Sequence, residues 1–243
     1  MFGTNKAAAI AALFCISAGG ASAATASFNF GCDGAGVSCD SSSSSYWNVS
    51  SLPAAFSLTD GDLTVEARAR YFYGGVSYVG NTVASADPRE AHIGRFQGGA
   101  GVFNGAGDNH TVDGNDYYND FIQLSFDKAV TLDSIGFGYI STRADRRGPD
   151  DFRLMYDLDG DGTIGVGDYF SDELRTSSNF TALPNVSSKV WGFAAFGKDD
   201  DWKLKSVAVS YVEPVAPVPL PAAVWLMLAG LAGLFGVSRR KTA

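Results

Sequence analysis

The stretch DLTVEARARYFYG, residues 62 to 74, alternates with a period of two: Leu63, Val65, Ala67, Ala69 and Tyr71 fall on one side, and Thr64, Glu66, Arg68 and Arg70 on the other. Successive side chains of a strand point to opposite faces, so this pattern specifies a half-buried strand and does not suit a helix. Further strand-like runs follow: FIQLSFD from Phe121, VTLDSIGFGYI from Val130 with apolar Leu132, Ile135, Phe137 and Tyr139, FRLMYD from Phe152, KVWGFAAFG from Lys189, and WKLKSVAVSYV from Trp202. The Gly-rich segment from Gly74 to Asp116 reads as short strands joined by turns. Many short strands with turn punctuation predict an all-β fold, a single β-sandwich or jelly-roll-like domain. No Pro-rich or Ser-rich linker precedes Pro214, and the run Ser41 to Ser45 is a solvated loop because strand-like sequence soon follows.

Both ends of the chain differ from this pattern. At the N-terminus Lys6 precedes the apolar run Ala7 to Ser17 and the small-residue site Ala21-Ser22-Ala23. That arrangement predicts a secretory signal peptide over residues 1–23, cleaved after Ala23. At the C-terminus no charged residue occurs from Pro214 to Ser238, and Arg239, Arg240 and Lys241 follow at once. Pro217, Pro219 and Pro221 keep the head of this segment extended. The apolar remainder, about residues 221–238, is long enough to cross a hydrocarbon core as a transmembrane helix. Its basic end stays in the cytoplasm, leaving the domain outside. The expected organisation is therefore signal 1–23, ectodomain 24–213 and tail 214–243.

Charge narrows the partners. Setting the two ends aside, 14 Lys and Arg face 26 Asp and Glu, a difference of −12. Such a surface disfavours nucleic acid and anionic headgroups and suits cations or neutral ligands. Cys15 leaves with the signal, so Cys32 and Cys39 remain as an even pair in an exported domain. They are expected to form a disulfide closing the loop CDGAGVSC. A metal pair would need further Cys or His nearby.

The sharpest chemical motif is DLDGDGTIGVGD, Asp157 to Asp168. Asp157, Asp159 and Asp161 take positions one, three and five of a twelve-residue loop, Gly162 takes the sharp turn at six, Thr163 offers its carbonyl at seven, and Asp168 closes at twelve. Alternate oxygen ligands wrapped round one point are what Ca2+ requires. Ile164 at position eight would pin the loop to a core. The loop resembles an EF-hand or dockerin-type calcium loop, with Asp in place of Glu at the last position and a strand in place of the first helix. Tyr169 to Arg175 is the segment that could form a short helix after it. The expected role of calcium is structural; an Asp-Gly-rich turn without an ion is the rival.

A second ligand-rich segment, GDNHTVDGNDYYND, holds Asp108, His110, Asp113, Asp116 and Asp120. It admits a second metal site, or a polar loop with Asx turns. No GxSxG, HExxH, surviving cysteine nucleophile or phosphate-binding Gly loop occurs, so no catalytic residue is assigned. Tyr46, Trp47, Tyr71, Tyr73, Tyr78, Tyr117 and Tyr118 include adjacent pairs that cannot all face one core. Exposed rings of this kind stack on sugar faces, although β-rich composition also accounts for them.

The tail VPLPAAVWLMLAGLAGLFGVSRRK, with Val218, Pro219, Leu220 and Pro221 at its head and Arg239, Arg240 and Lys241 at its end, resembles the PEP-CTERM sorting signal. Leu220 stands where the Pro-Glu-Pro form has glutamate. The ectodomain is similar to an exosortase-dependent surface protein family through GGAGV (98–102), NHTVDG (109–114), NDFIQLSFDKAVTLDSI (119–135) and DDWKLKSVAVS (200–210). The resemblance implies an exosortase-type processing enzyme as partner and a Gram-negative host. It also implies passage through the inner membrane to the cell surface or medium, and a tie to exopolysaccharide or biofilm. The expectation is a non-enzymatic, calcium-stabilised surface or matrix protein. A glycan-active hydrolase and a periplasmic protein permanently anchored in the inner membrane are the alternatives.

Overall fold

The computed structural model describes residues 22–33, 39–40, 52–105, 110–114, 117–140, 150–198, 200–213 and 227–231. Residues Ala23–Val212 form one compact unit. Of the other unit, made of Met1–Ser22 and Glu213–Ala243, only Ser22, Glu213 and a helical segment at 227–231 are described. No helix of the described residues is long and apolar enough to cross a membrane. Most of the expected span at 221–238 lies outside the described residues. So do Ala21, Val218, Pro219, Leu220, Pro221, Arg239, Arg240 and Lys241. Ala23, at the expected cleavage point, is exposed near the start of the first strand.

The compact unit is all-β. Its strands are β1 (Ser22–Asn29), β2 (Ala55–Asp60), β3 (Leu63–Tyr73), β4 (Ser77–Val79), β5 (Thr82–Ser85), β6 (Pro88–Glu90), β7 (His92–Phe96), β8 (Gly99–Phe103), β9 (Val112–Asp113), β10 (Tyr118–Gly138), β11 (Asp151–Tyr156), β12 (Tyr169–Phe170), β13 (Leu174–Arg175), β14 (Ser187–Ala194) and β15 (Asp201–Glu213). The main hydrogen-bonded path runs β4-β5-β12-β11-β14-β10-β15-β8-β7.

Strand β10 organises the sheet. Its first half runs antiparallel to β3, from Tyr118 opposite Tyr73 to Phe126 opposite Val65. Its second half runs antiparallel to β15, from Val130 opposite Tyr211 to Gly138 opposite Lys203. Strand β14 pairs with it across the join, but the register shifts between Ser125 and Val130. The two strands expected at Phe121 and Val130 are thus one strand of 21 residues. The polar step between them contains neither Gly nor Pro to turn the chain, and irregular register absorbs it instead. A further shift between Leu132 and Ser134 explains why the buried positions step from Leu132 to Ile135 rather than by two. Tyr139 does not continue that face: at φ 52° it leaves the strand and is 60% exposed.

The expectation of a short helix over Tyr169–Arg175 is corrected by two brief strands. β12 pairs with Met155 and Tyr156, and β13 with Asp151 and Phe152. Backbone pairing with β11, reinforced by Ser171 Oγ accepting the Leu154 N–H at 2.9 Å, outweighs local helix propensity.

Two apolar clusters sit on opposite faces of the central strands. The main core takes Leu63, Val65, Ala67 and Ala69 of β3, Ile122 and Leu124 of β10, Trp191 and Phe193 of β14, and Trp202 and Leu204 of β15. The second takes Phe72, Val83, Phe121, Met155, Ile164, Phe170, Val190 and Ala194. Consecutive residues such as Phe121 and Ile122, or Phe193 and Ala194, therefore belong to different cores. Phe72 stacks on Phe121 at 4.5 Å and 16°. Burying side chains of this size stabilises by about 1.5–3 kcal/mol each, so both faces contribute. Cys32 and Cys39 form a disulfide across seven positions of sequence.

Candidate metal centre

The twelve residues Asp157–Asp168 connect β11 to β12, a hairpin closed by the Tyr156–Tyr169 pair. The two rings stack at 4.5 Å and 15° beneath the loop ends. Asp157 folds the loop back on itself. Its Oδ1 accepts the Gly160 N–H at 2.6 Å and its Oδ2 accepts the Gly162 N–H at 2.9 Å. Gly160 and Gly162 have φ of 81° and 86°, the left-handed region that a side chain resists. Asp159 Oδ1 accepts the Asp161 N–H, and Asp161 Oδ1 accepts both the N–H and the hydroxyl of Thr163.

These turns bring one carboxylate oxygen from each of Asp157, Asp159 and Asp161 within 4.8 Å of one another. Asp157 is half-buried, and Asp159 and Asp161 are exposed. Like charges this close repel, by about 1 kcal/mol per pair at 4 Å in water, and a cation among them would offset that. A hard divalent cation with carboxylate, carbonyl and water oxygens suits the donor set.

Asp168 is placed differently. It is 1% exposed, its Oδ1 accepting the Leu158 N–H at 2.8 Å and its Oδ2 the Gly165 N–H at 2.7 Å. It closes the loop by binding backbone and is not one of the three converging carboxylates. Burial pushes its carboxyl above the ordinary value; the two N–H donors oppose this, and Asp157 and Asp159 add to it.

Ile164 is fully buried in the second core, as its position in the motif suggests. Its N–H donates to Gln123 Oε1 at 3.1 Å. Gln123, on β10, is 4% exposed and also binds Arg70 and Ser125. Nothing in the sequence singles out Gln123, because a polar residue in an alternating strand reads as solvent-facing.

The second ligand-rich segment is not assembled as a metal site among the described residues. Asp108 and Asp116 lie outside them. The His110 ring packs 5.3 Å from Phe96 and 5.2 Å from Phe103. Asp113 lies opposite Asp201 in the β9–β15 pair. Asp120 is buried and accepts from Asn104 Nδ2 at 2.6 Å.

A second acidic place escapes the sequence motifs. Asp200 is 7% exposed, and its carboxylate accepts the N–H groups of Asp151, Phe196 and Gly197. Burial pushes its carboxyl up against the pull of these donors. This carboxylate holds a turn. Arg153 is held similarly: its guanidinium lies 5.3–5.7 Å from the rings of Tyr78, Phe170 and Phe196 and pairs with Glu173 at 2.9 Å.

Of the aromatics, Tyr46 and Trp47 lie outside the described residues. Tyr71 packs against the main core, whereas Tyr73, Tyr78, Tyr117 and Tyr118 are exposed. Arg89 covers the Tyr73 ring at 4.0 Å.

Together these features define an all-β, antiparallel domain carrying one acidic hairpin loop. No family model matches the chain, and no curated protein or solved structure matches it either.

Proposed function

We propose that the chain is an exported, non-enzymatic surface or matrix protein of a Gram-negative bacterium. In this reading it is sorted by an exosortase-type enzyme and serves a structural or adhesive role with exopolysaccharide as its partner. The observation that carries this reading is the tail: a Pro-Leu-Pro head at Pro219–Pro221, an uncharged apolar run and the Arg239-Arg240-Lys241 end. The N-terminal segment with its Ala21-Ser22-Ala23 site agrees with export. The sheet, bent through β10 with apolar residues of both halves in one main core, is read as a β-sandwich of jelly-roll type. Calcium is its structural ion, held by Asp157, Asp159 and Asp161 with Thr163 completing the set and Asp168 bracing the loop.

The deciding experiment is the intact mass and C-terminal peptide of the protein from its native host. The expected result is a C-terminus near Val218–Pro221 in the outer or released fraction. An intact basic end in the inner membrane would overturn the sorting reading in favour of a permanent anchor. Calcium has its own test, since an ion bound only to the folded state raises Tm. Tm should rise in millimolar calcium relative to chelator, and the rise should vanish in a variant carrying Asp159→Ala and Asp161→Ala. An equal rise in the variant would remove the ion from this loop.

A further inference from the structure

Lys203, on β15, is a half-buried cation set between two aromatic rings. Its ammonium lies 4.8 Å from the centre of the Phe96 ring and 5.1 Å from that of Tyr139. Among the described residues no carboxylate pairs with it, in a domain where acids greatly outnumber bases. It is half-buried, and burial pushes its pKa down while Asp201 opposes the shift. A partly desolvated ammonium with no ion pair is costly, and two ring faces and the more distant Asp201 charge offset that only in part.

The surroundings are open. Lys203, Phe96, Gln97, Tyr139 and Asp40 line a groove of about 490 Å³ beside the disulfide. That volume falls in the range of small-molecule sites. Its walls are braced: Asp40 Oδ2 accepts the Arg95 N–H at 2.7 Å, and the Asp40 N–H returns to the Arg95 carbonyl at 2.9 Å. The hairpin turn at Gln97–Gly98 packs on the end of β10, where a Cβ on Gly138 would overlap the Gly98 carbonyl. Tyr139 follows directly, in the left-handed region at φ 52°. A non-glycine residue there costs about 1–3 kcal/mol, and strain of this kind gathers at functional sites. The strained turn presents a large ring, 60% exposed, at the mouth of the groove.

An exposed aromatic ring, a cation with no ion pair among the described residues and flanking polar groups match one chemical class, and Lys203 makes the groove a local exception in a domain whose net charge otherwise disfavours anions. We propose that this groove is a subsite for an acidic sugar, a hexuronate unit of a polysaccharide: the pyranose ring stacks on Tyr139, its carboxylate pairs with Lys203 Nζ, and Gln97 and Asp40 meet its hydroxyls. The assignment rests on the polysaccharide-binding reading above and adds the ligand class and the place.

Calorimetric titration of the protein with α-1,4-tetragalacturonate and with its methyl ester tests it, because the ester keeps the rings and loses the charge. The acid should bind about tenfold or more tightly than the ester, as expected for one charged hydrogen bond. Lys203→Met should abolish that difference, Lys203→Arg should retain it, and Tyr139→Gly, which relieves the backbone strain, should weaken both ligands. A Lys203→Met or Tyr139→Gly variant that melts like the parent yet binds the acid unchanged would overturn the subsite. Equal binding of acid and ester by the parent would overturn it as well. If the host's matrix polysaccharide binds and the tetrauronate does not, the subsite falls and the broader reading stands; if neither binds, both fall.

Discussion

Replacing Ile164 by alanine tests whether the acidic loop is part of the folded unit or an appendage. Ile164 is fully buried, and its Cγ1 lies only 3.3 Å from where a Cβ on Gly192 would sit, so it packs directly on β14. Isoleucine-to-alanine changes at buried sites cost about 2–5 kcal/mol, the lower part applying where the surroundings can collapse. Here they can in part, because Met155 is flexible and, among the described residues, the loop interior bonds to the rest of the domain mainly through Ile164 N–H to Gln123 and Gly167 N–H to the Val83 carbonyl. A cost of about 2–3 kcal/mol is expected, which lowers Tm by roughly 4–12 °C for a domain of this size. Thermal melts followed by near-ultraviolet circular dichroism, in calcium and in chelator, provide the measurement. The loss should appear in both conditions, and any calcium-dependent rise in Tm from the proposed ion should shrink as the loop loses its anchor. A shift below about 2 °C in chelator, well under that of a buried isoleucine, would refute the docking of the loop on the second core.

Two other perturbations follow from charge and covalent closure. Burial, then the charges of Asp200 and Glu173, push the Asp151 carboxyl above its ordinary value, and burial does the same for Asp200. Their folded-state values lie above the unfolded ones, so their contribution is fully present below the ordinary carboxylate range and is lost as pH rises through the raised values. Asp151→Asn should therefore stabilise the protein near neutral pH and give no gain in acid; denaturant melts across that range showing the same gain at both ends would contradict the assignment. Opening the Cys32–Cys39 link by a double Cys→Ser change should cost about 2.5 kcal/mol on the chain-entropy model for so short a loop, read as a fall in the urea midpoint, and an unchanged midpoint would mean that the link closes nothing in the unfolded chain.

The strands that face one core were legible because their pattern has one period. β3 is the clear case, since four small or branched residues point inward and charged ones outward. β10 was only half legible, because its inner residues change partners along its length and its register shifts twice against β15. Burial on both faces also hides function. Gln123 looks like an outward residue of an alternating strand, yet it is the side chain that receives the loop. The spacing of Asp157, Asp159, Asp161 and Gly162 was readable because a tight loop is local in sequence. The different task of Asp168 was not, because it depends on backbone donors at Leu158 and Gly165 that only the folded loop presents. Lys203 and Tyr139 escape any reading by motif, since they meet through the pairing of β10 and β15 across some sixty positions of chain.

The loop's position gives the carboxylates a structural meaning beyond their spacing. Strand β12 has only two residues; β5 pairs with it and also bonds through Val83 to the backbone of Gly167 and Asp168 at the loop's end, and β4 pairs with β5. This edge therefore hangs on the hairpin that the acidic loop closes. The same loop supplies Ile164 to the core beneath it, which also contains Val83 of β5 and Phe170 of β12. Repulsion among Asp157, Asp159 and Asp161 opposes the one turn conformation that inserts Ile164, and a cation turns that repulsion into attraction. If the proposed cation is held there, chelating it should loosen β4, β5 and β12 before the main core, which lies on the face of β3, β10 and β14 away from Ile164. Amide hydrogen exchange in chelator should show protection lost first at Val83, Phe170 and Ile164 and kept at Ile122, Leu124 and Phe193. Uniform loss across both cores would mean that the loop and the sheet stand or fall as one unit.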